Sequence, residues 1–479
     1  MPTRRAVLAS ALAVATVRPT IARAQAGAAP SSTATTGPAT VLQLQRRSIE
    51  VNRKPASVYG IRQPDGTYGI TTEVGKPFRV RVENKIDQPS LIHWHGLAPP
   101  WRQDGVPGIS GPPILPGSTA DYDFPLRFGG TFWMHSHEGL QEQSLMLAPL
   151  IIHDGRDRAD QQQIVMMLND FSFTPPEQIF EDLKKRSGGM PGMASGGAPM
   201  AGMARGPTPP DLNDVKYDAF LANDRTLADP EIVKVEPGGH VLLRVINGSS
   251  MSNYHLDLGQ LKGELIAVDG VRIVPVMARG FPIAAAQRLD IRLAMLHRPA
   301  AYPVLAVVEG ERKQTGIVLT VGGGAAIARI PDTAGTPSPA LTLDLERRLR
   351  AADPPKPRKP DRVHILNLTG EMVGYIWSIN NTVWNKDVLP LPIAEGERVE
   401  LVMINRTGMP HPMHLHGHQF QVVEIDDKRF SGAVRDTVLV PPGRRVVVAF
   451  DANNPGLWAF HCHLLYHMDA GMFTTFRYV

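Results

Sequence analysis

The chain has 479 residues, a length that suits about three domains, each large enough to bury its own core. With 43% hydrophobic and 20% charged residues it has the composition of a folded globular protein, which excludes a disordered chain, and 44 Gly with 43 Pro favour a loop-rich all-β fold over a helical bundle. The net charge of +4 comes from Arg4, Arg5, Arg18 and Arg23; the remainder carries 46 basic against 46 acidic residues, which excludes a general attraction to nucleic acid or anionic lipid.

In chain order, residues 1–26 come first. Thr3-Arg4-Arg5-Ala6-Val7-Leu8, an apolar stretch to Val17 and the small-residue site Ala24-Gln25-Ala26 read as a twin-arginine signal peptide, which implies export in folded form to the periplasm. No later segment has the ~18 consecutive apolar residues of a membrane span. Strand-like runs at 78–84, 241–247 and 399–405 each end in an asparagine, and Asn84, Asn247 and Asn405 mark a repeat of supersecondary length. Pro116-Gly117 leads through Phe124 to His135, and Pro442-Gly443 leads through Phe450 to His461, with identical offsets. One helix is expected at Pro176–Lys185. The segment 353–360, with four prolines, reads as a stiff linker. The expected organisation is therefore a signal peptide at 1–26 and three tandem Greek-key β-sandwiches at 40–165, 166–335 and 361–479, with a Pro-rich linker at 336–360.

The 16 histidines are not scattered. Random placement gives fewer than one His-x-His pair, whereas the chain has them at 93/95, 135/137, 414/416, 416/418 and 461/463. Residues i and i+2 of a strand share a face, so each pair aims two imidazoles to one side, and imidazole binds copper, zinc, iron and nickel. The single cysteine, Cys462, excludes an intrachain disulfide and narrows the metal. It lies between His461 and His463 and is followed by His467 and Met472, with His411 upstream. A thiolate, two imidazoles and a weak thioether are the ligand set of a blue-copper electron-transfer site. Alternation turns the Cys462 thiolate away from His461 and His463, so one strand joins two metal centres.

The segments His93-Trp94-His95-Gly96, His135-Ser136-His137, His411-Pro412-Met413-His414-Leu415-His416-Gly417 and His461-Cys462-His463 with His467 and Met472 resemble the copper signatures of three-domain multicopper oxidases, the laccase-like enzymes built of cupredoxin sandwiches. The resemblance runs from about residue 40 to the C-terminus. Gly139-Leu140-Gln141-Glu142-Gln143 and Leu464-Leu465-Tyr466-His467-Met468 are similar to the bacterial copper-resistance branch. The resemblance implies four copper ions. His411, Cys462, His467 and Met472 would hold the mononuclear type 1 ion; His93 and His414 the type 2 ion; and His95, His135, His137, His416, His461 and His463 the type 3 pair. It further implies that electrons pass through Cys462 to His461 or His463, and that dioxygen is reduced to water. Asp104 is expected beside the type 2 ligands as a proton source. A second acid usual in related enzymes is replaced by Met468, which leaves Glu142 and Asp469 as candidates.

Other histidines read as structural: His255, which stands alone in the middle repeat, and His153, His240, His297 and His364. His418 is expected to touch a ligand at most. The middle sandwich, with no His-x-His, reads as a spacer. Its segment 187–206 concentrates Met190, Met193, Met200 and Met203 among Gly, Ala and Pro. Thioether selects Cu(I), so a Cu(I)-capturing loop is expected, with Met409 and Met413 adding sulfur near the mononuclear ion. The expected donor is Cu(I), phenols or aromatic amines. A non-enzymatic copper store is the other class considered. A monomer suffices, because all the ligands lie in one chain.

Overall fold

The computed structural model describes residues 38–155, 160–186, 212–322 and 327–479. The expected signal peptide at 1–26 and the four clustered methionines lie outside them. Residues 39–479 form one compact unit, and the strands pair into six sheets, two each within residues 40–153, 161–321 and 362–478. This is the expected all-β architecture of three sandwiches.

The repeat is visible in the pairing. Thr40–Val51 runs parallel to Pro77–Asn84, Gln161–Phe171 to His240–Asn247, and Arg362–Glu371 to Arg398–Asn405. Each second strand then pairs antiparallel with Thr119–Pro125, Arg288–Ala294 or Arg445–Asp451. The three asparagines end these strands in the same way. The Asn84 side chain accepts from the Ile86 amide and donates to the Gln88 and Ile114 carbonyls. Asn247 accepts from Ser249 and donates to Ser252, and Asn405 accepts from Thr407 and donates to Met409 and Val440. A buried carboxamide thus closes a turn that carries the chain to the facing sheet. The next strands are Ile92–His95, Tyr254–Asp257 and His411–Leu415, and two of these carry the histidine signatures.

The helix spans Pro176–Arg186, one residue longer than its sequence signals indicate, and buries Ile179, Phe180 and Leu183. The segment 336–360 includes a short helix, Asp344–Arg348, whose Glu346 is buried against Arg435. The prolines after it lie outside any helix or strand.

One ion pair brings the third sandwich a pH dependence. Arg362 donates through Nε and Nη2 to the Glu397 carboxylate at 2.7 Å, which with the Ala394 amide holds the Glu397 pKa down to about 2. A carboxylate depressed in the folded state adds stability above its unfolded pKa of 4.5 and loses it as pH falls toward 2. In Glu397→Gln, the melting-temperature deficit relative to the parent is expected to be largest near pH 6 and to disappear by pH 2, as read by scanning calorimetry.

Candidate metal centre

The strand Leu457–Cys462 pairs with His411–Leu415 in the register Met413 to Cys462 and His414 to His461. Alternation along both strands then sorts their side chains. His411 and Cys462 face one side, while His414, His416, His461 and His463 face the other.

On the first side the Cys462 Sγ lies 3.6 Å from His411 Nδ1 and 3.9 Å from His467 Nδ1, and the two Nδ1 atoms are 3.2 Å apart. The far nitrogens are occupied: His411 Nε2 meets Thr407 Oγ1 at 2.7 Å and His467 Nε2 donates to Asp214 Oδ2 at 2.9 Å. The free lone pairs therefore point at the sulfur. Met472 is fully buried, and its backbone bonds both the Cys462 amide and the His467 carbonyl. Trp377 stacks on His467 with ring centroids 3.9 Å apart. Burial pushes the Cys462 thiol pKa up and holds the His411 imidazole well below its usual range. A buried neutral thiol becomes a thiolate only when a cation compensates the charge.

On the second side eight imidazoles from the first and third sandwiches converge. His93 and His414 each point Nδ1 at a backbone carbonyl, of Asp104 and Asp436 respectively, both at 2.9 Å. This leaves their Nε2 atoms facing each other at 3.5 Å. His416 donates from Nδ1 to Asp104 Oδ2 at 2.7 Å, and His461 from Nδ1 to the Cys462 carbonyl at 2.9 Å. Their Nε2 atoms are 2.9 Å apart, with His137 Nε2 3.4 Å from that of His461. The third group is His95, His135 and His463, with centroids 5.0–5.7 Å apart. His135 Nδ1 is 2.7 Å from Glu142 Oε2, and His95 Nε2 is 3.1 Å from Asp436 Oδ1. The remaining His95 Nδ1 and His135 Nε2, and both nitrogens of His463, are buried without a hydrogen-bond partner.

Such convergence of lone pairs is unfavourable without a cation, since each orphaned buried polar atom costs about 1–3 kcal/mol. Burial holds His95, His135, His137, His416, His461 and His463 well below the usual imidazole range, in the neutral form that binds metal. The donor sets fit copper: thiolate with two imidazoles on one side, and groups of two, three and three imidazoles on the other. Every expected ligand other than Met472 is placed in one of these sets, and Met472 lies beside the first.

Asp104 sits between two groups, with its carbonyl on His93 and its carboxylate on His416. Glu142 contacts His135, and burial raises its pKa well above the usual carboxylate range. Asp469 instead lines a cavity of about 440 Å³ with Glu138 and the half-buried His137. His418 departs from the alternation. Gly417, at φ +66°, ends the strand's face, and His418 Nε2 meets the Tyr478 hydroxyl at 2.7 Å. His255 and His364 bond backbone carbonyls. Met409 and Met413 are core residues, 2% and 0% exposed, so neither offers its sulfur to solvent.

Four residues that hold the histidines were missed by motif reading: Asp214, Asp436, Trp377 and Arg288. Arg288 opens its strand after Gln287, and Asp436 stands between Arg435 and Thr437 at a break between two strands, so these two, like Asp214 and Trp377, carry no local signal.

The multicopper oxidase family models match residues 45–157, 163–322 and 356–479. The chain is 29% identical to the multicopper oxidase MmcO of Mycobacterium tuberculosis (86% of this chain, 81% of that protein). It is 28% identical to copper resistance protein A of Escherichia coli (84% and 86%) and 26% to laccase-1 of Botryotinia fuckeliana (85% and 76%). Among solved structures it resembles Fet3p, a multicopper oxidase that functions in iron import (TM-score 0.75, 19% identity, 91% and 90% covered). It also resembles a laccase from Botrytis aclada (0.72, 23%, 92% and 88%).

Removing a carboxylate that orients metal-binding imidazoles typically weakens metal binding 10–100-fold. Asp104→Ala is expected to lose metal from the histidine cluster at a chelator concentration about 10–100-fold lower than the parent, while the absorption due to the Cys462 site persists.

Proposed function

This chain belongs to the multicopper oxidase family, an oxidoreductase family with copper cofactors and dioxygen as acceptor, and from that premise we propose its ligand assignment, donor and compartment. His411, Cys462, His467 and Met472 hold the type 1 ion; His93 and His414 hold the type 2 ion; His95, His135 and His463, and His137, His416 and His461, each hold one ion of the type 3 pair, for four in all. The observation that carries this reading is the two-sided strand at Cys462, with its thiol among His411 and His467 and its neighbours among the clustered imidazoles. Bound copper supplies one-electron uptake at the cysteine side and four-electron reduction of dioxygen to two waters at the cluster.

The protein's own groups do the rest. Cys462 is the covalent link between the sides, through the backbone of His461 and His463. Asp104 and Glu142 orient His416 and His135 and stand as the nearest acids for the protons consumed. The cavity at His137 is the approach for dioxygen and the exit for water, since it reaches a half-buried cluster imidazole from solvent.

The donor we propose is Cu(I), with phenols or aromatic amines as further donors. Support comes from the residues that flank 187–211. Phe180 of the preceding helix stacks on Tyr466, next to His467, at 5.9 Å and lies 6.3 Å from Tyr375. Asp214, three residues after the segment, accepts from His467 Nε2 and from the Tyr375 hydroxyl at 2.6 Å. The two flanks of the segment that carries Met190, Met193, Met200 and Met203 thus lie near His467, and a buried carboxylate there favours a cationic donor. Export to the periplasm by the twin-arginine route is supported by Arg4-Arg5 and the Ala24-Gln25-Ala26 site; no helix among the described residues is long and apolar enough to cross a membrane. A monomer is sufficient for the site.

Cys462→Ser is expected to lose the intense blue absorption and oxygen uptake together. Deleting 187–206 is expected to reduce kcat/KM for Cu(I) at least tenfold with dimethoxyphenol turnover retained; equal Cu(I) turnover after the deletion rejects the capture segment.

A further inference from the structure

The middle sandwich contributes no ligand, yet one of its side chains reaches the histidine cluster. Arg288 opens the strand Arg288–Ala294 and is fully buried. Its guanidinium forms a two-pronged ion pair with Asp436 of the third sandwich, with Nη1 to Oδ1 at 2.8 Å. Nε donates to the Thr131 carbonyl of the first sandwich at 3.2 Å. One side chain therefore ties all three sandwiches at a single point.

That point is where two cluster histidines are held. Asp436 Oδ1 is 3.1 Å from His95 Nε2, and the Asp436 carbonyl accepts from His414 Nδ1. His95 and His414 stack with centroids 3.7 Å apart. A carboxylate with both oxygens bonded to a planar fork is fixed in rotation, so its bond to His95 has one geometry, which turns His95 Nδ1 toward the cluster. Lys in place of Arg offers a point charge and cannot hold both oxygens at once. The glycine of the first histidine signature belongs to the same arrangement. A Cβ at Gly96, where φ is +89°, would meet Arg288 Nη2 at 2.6 Å and Asp436 Oδ2 at 2.8 Å. The signature thus leaves room for this ion pair directly after His95.

We propose that Arg288 is a positioning residue for the histidine cluster: through Asp436 it sets the orientation of His95 and His414, and the middle sandwich is in this way part of the cluster's construction. The proposal rests on the ligand reading above. If the parent protein itself lacks a type 2 electron paramagnetic resonance signal, that reading fails, and Arg288 is not what was tested.

The test uses copper-loaded full-length Arg288→Lys, with Arg244→Lys as the comparison. Arg244 is equally buried and bonds Thr131, but its ion pair is with Asp290, a different carboxylate from the one that meets His95. Arg288→Lys is expected to keep the blue absorption of the Cys462 site and to lose or shift the type 2 signal, with less copper per chain. Arg244→Lys is expected to lower the melting temperature and leave that signal unchanged. An unaltered type 2 signal with full copper in Arg288→Lys overturns the proposal, as does an equal change in both variants. If Arg288→Lys is not recovered folded, the neutral pair Arg288→Met with Asp436→Asn takes its place, because removing both charges leaves no unpaired one buried. A full type 2 signal there overturns the proposal equally.

Discussion

Nitrogen lone pairs of the first and third sandwiches, more than 300 residues apart in the chain, face one another at 3.4–3.5 Å in a buried interior. Such an arrangement is unfavourable by itself and becomes favourable when cations fill it. Every other feature of the interface answers this constraint. A ring whose second nitrogen is tied has the first one aimed, and the ties are supplied by the Asp104, Asp436 and Cys462 carbonyls, the carboxylates of Asp104, Glu142, Asp214 and Asp436 and the Thr407 hydroxyl, while His463 is buried with neither nitrogen bonded. Burial keeps the rings neutral. The histidine cluster is therefore both a site and a fastening between the ends of the chain, and metal binding and tertiary assembly are coupled.

The carboxylates around the rings carry a second consequence. Buried anions near imidazoles favour added positive charge, which is what copper brings, but they must be balanced and held when it is absent. Asp436 is balanced by Arg288, and Asp269 and Glu346 share Arg435. Burial, with the Arg288 charge acting against it, leaves Asp436 well below the usual carboxylate range. Glu142 has no such cation, and burial dominates its raised pKa. Two acids that each meet a cluster histidine thus differ in proton affinity because one faces a guanidinium and the other does not.

The two faces of the Cys462 strand also separate tasks in space. The residues around His467 come from three places in the chain: Asp214, Tyr375 with Trp377, and the helix bearing Phe180. Under the proposed ligand assignment, donors would be discriminated there, and dioxygen would meet the histidine side.

Local periodicity carries a great deal here. The residue types of the metal donors, their pairing by His-x-His, the opposed direction of Cys462, the asparagine-marked repeat and the helix after Pro176 all follow from distances of a few residues, over which strand alternation and turn chemistry hold. His418 lies beyond the reach of alternation, because Gly417 turns the backbone out of the extended conformation, and it meets the carbonyl of His416, as expected of a residue that touches a ligand at most. Local spacing also placed Met409 and Met413 near the mononuclear site without revealing that they are sealed in the core. Beyond the reach of local rules lay the selection of partners: which nitrogen of each ring is free, that Asp214 meets His467, and that Arg288 makes the middle sandwich more than a spacer. Those choices depend on side chains 148 to 341 positions apart meeting in a buried interior, where an unpaired charge or lone pair is costly enough to dictate its neighbour, and only the folded arrangement brings them together.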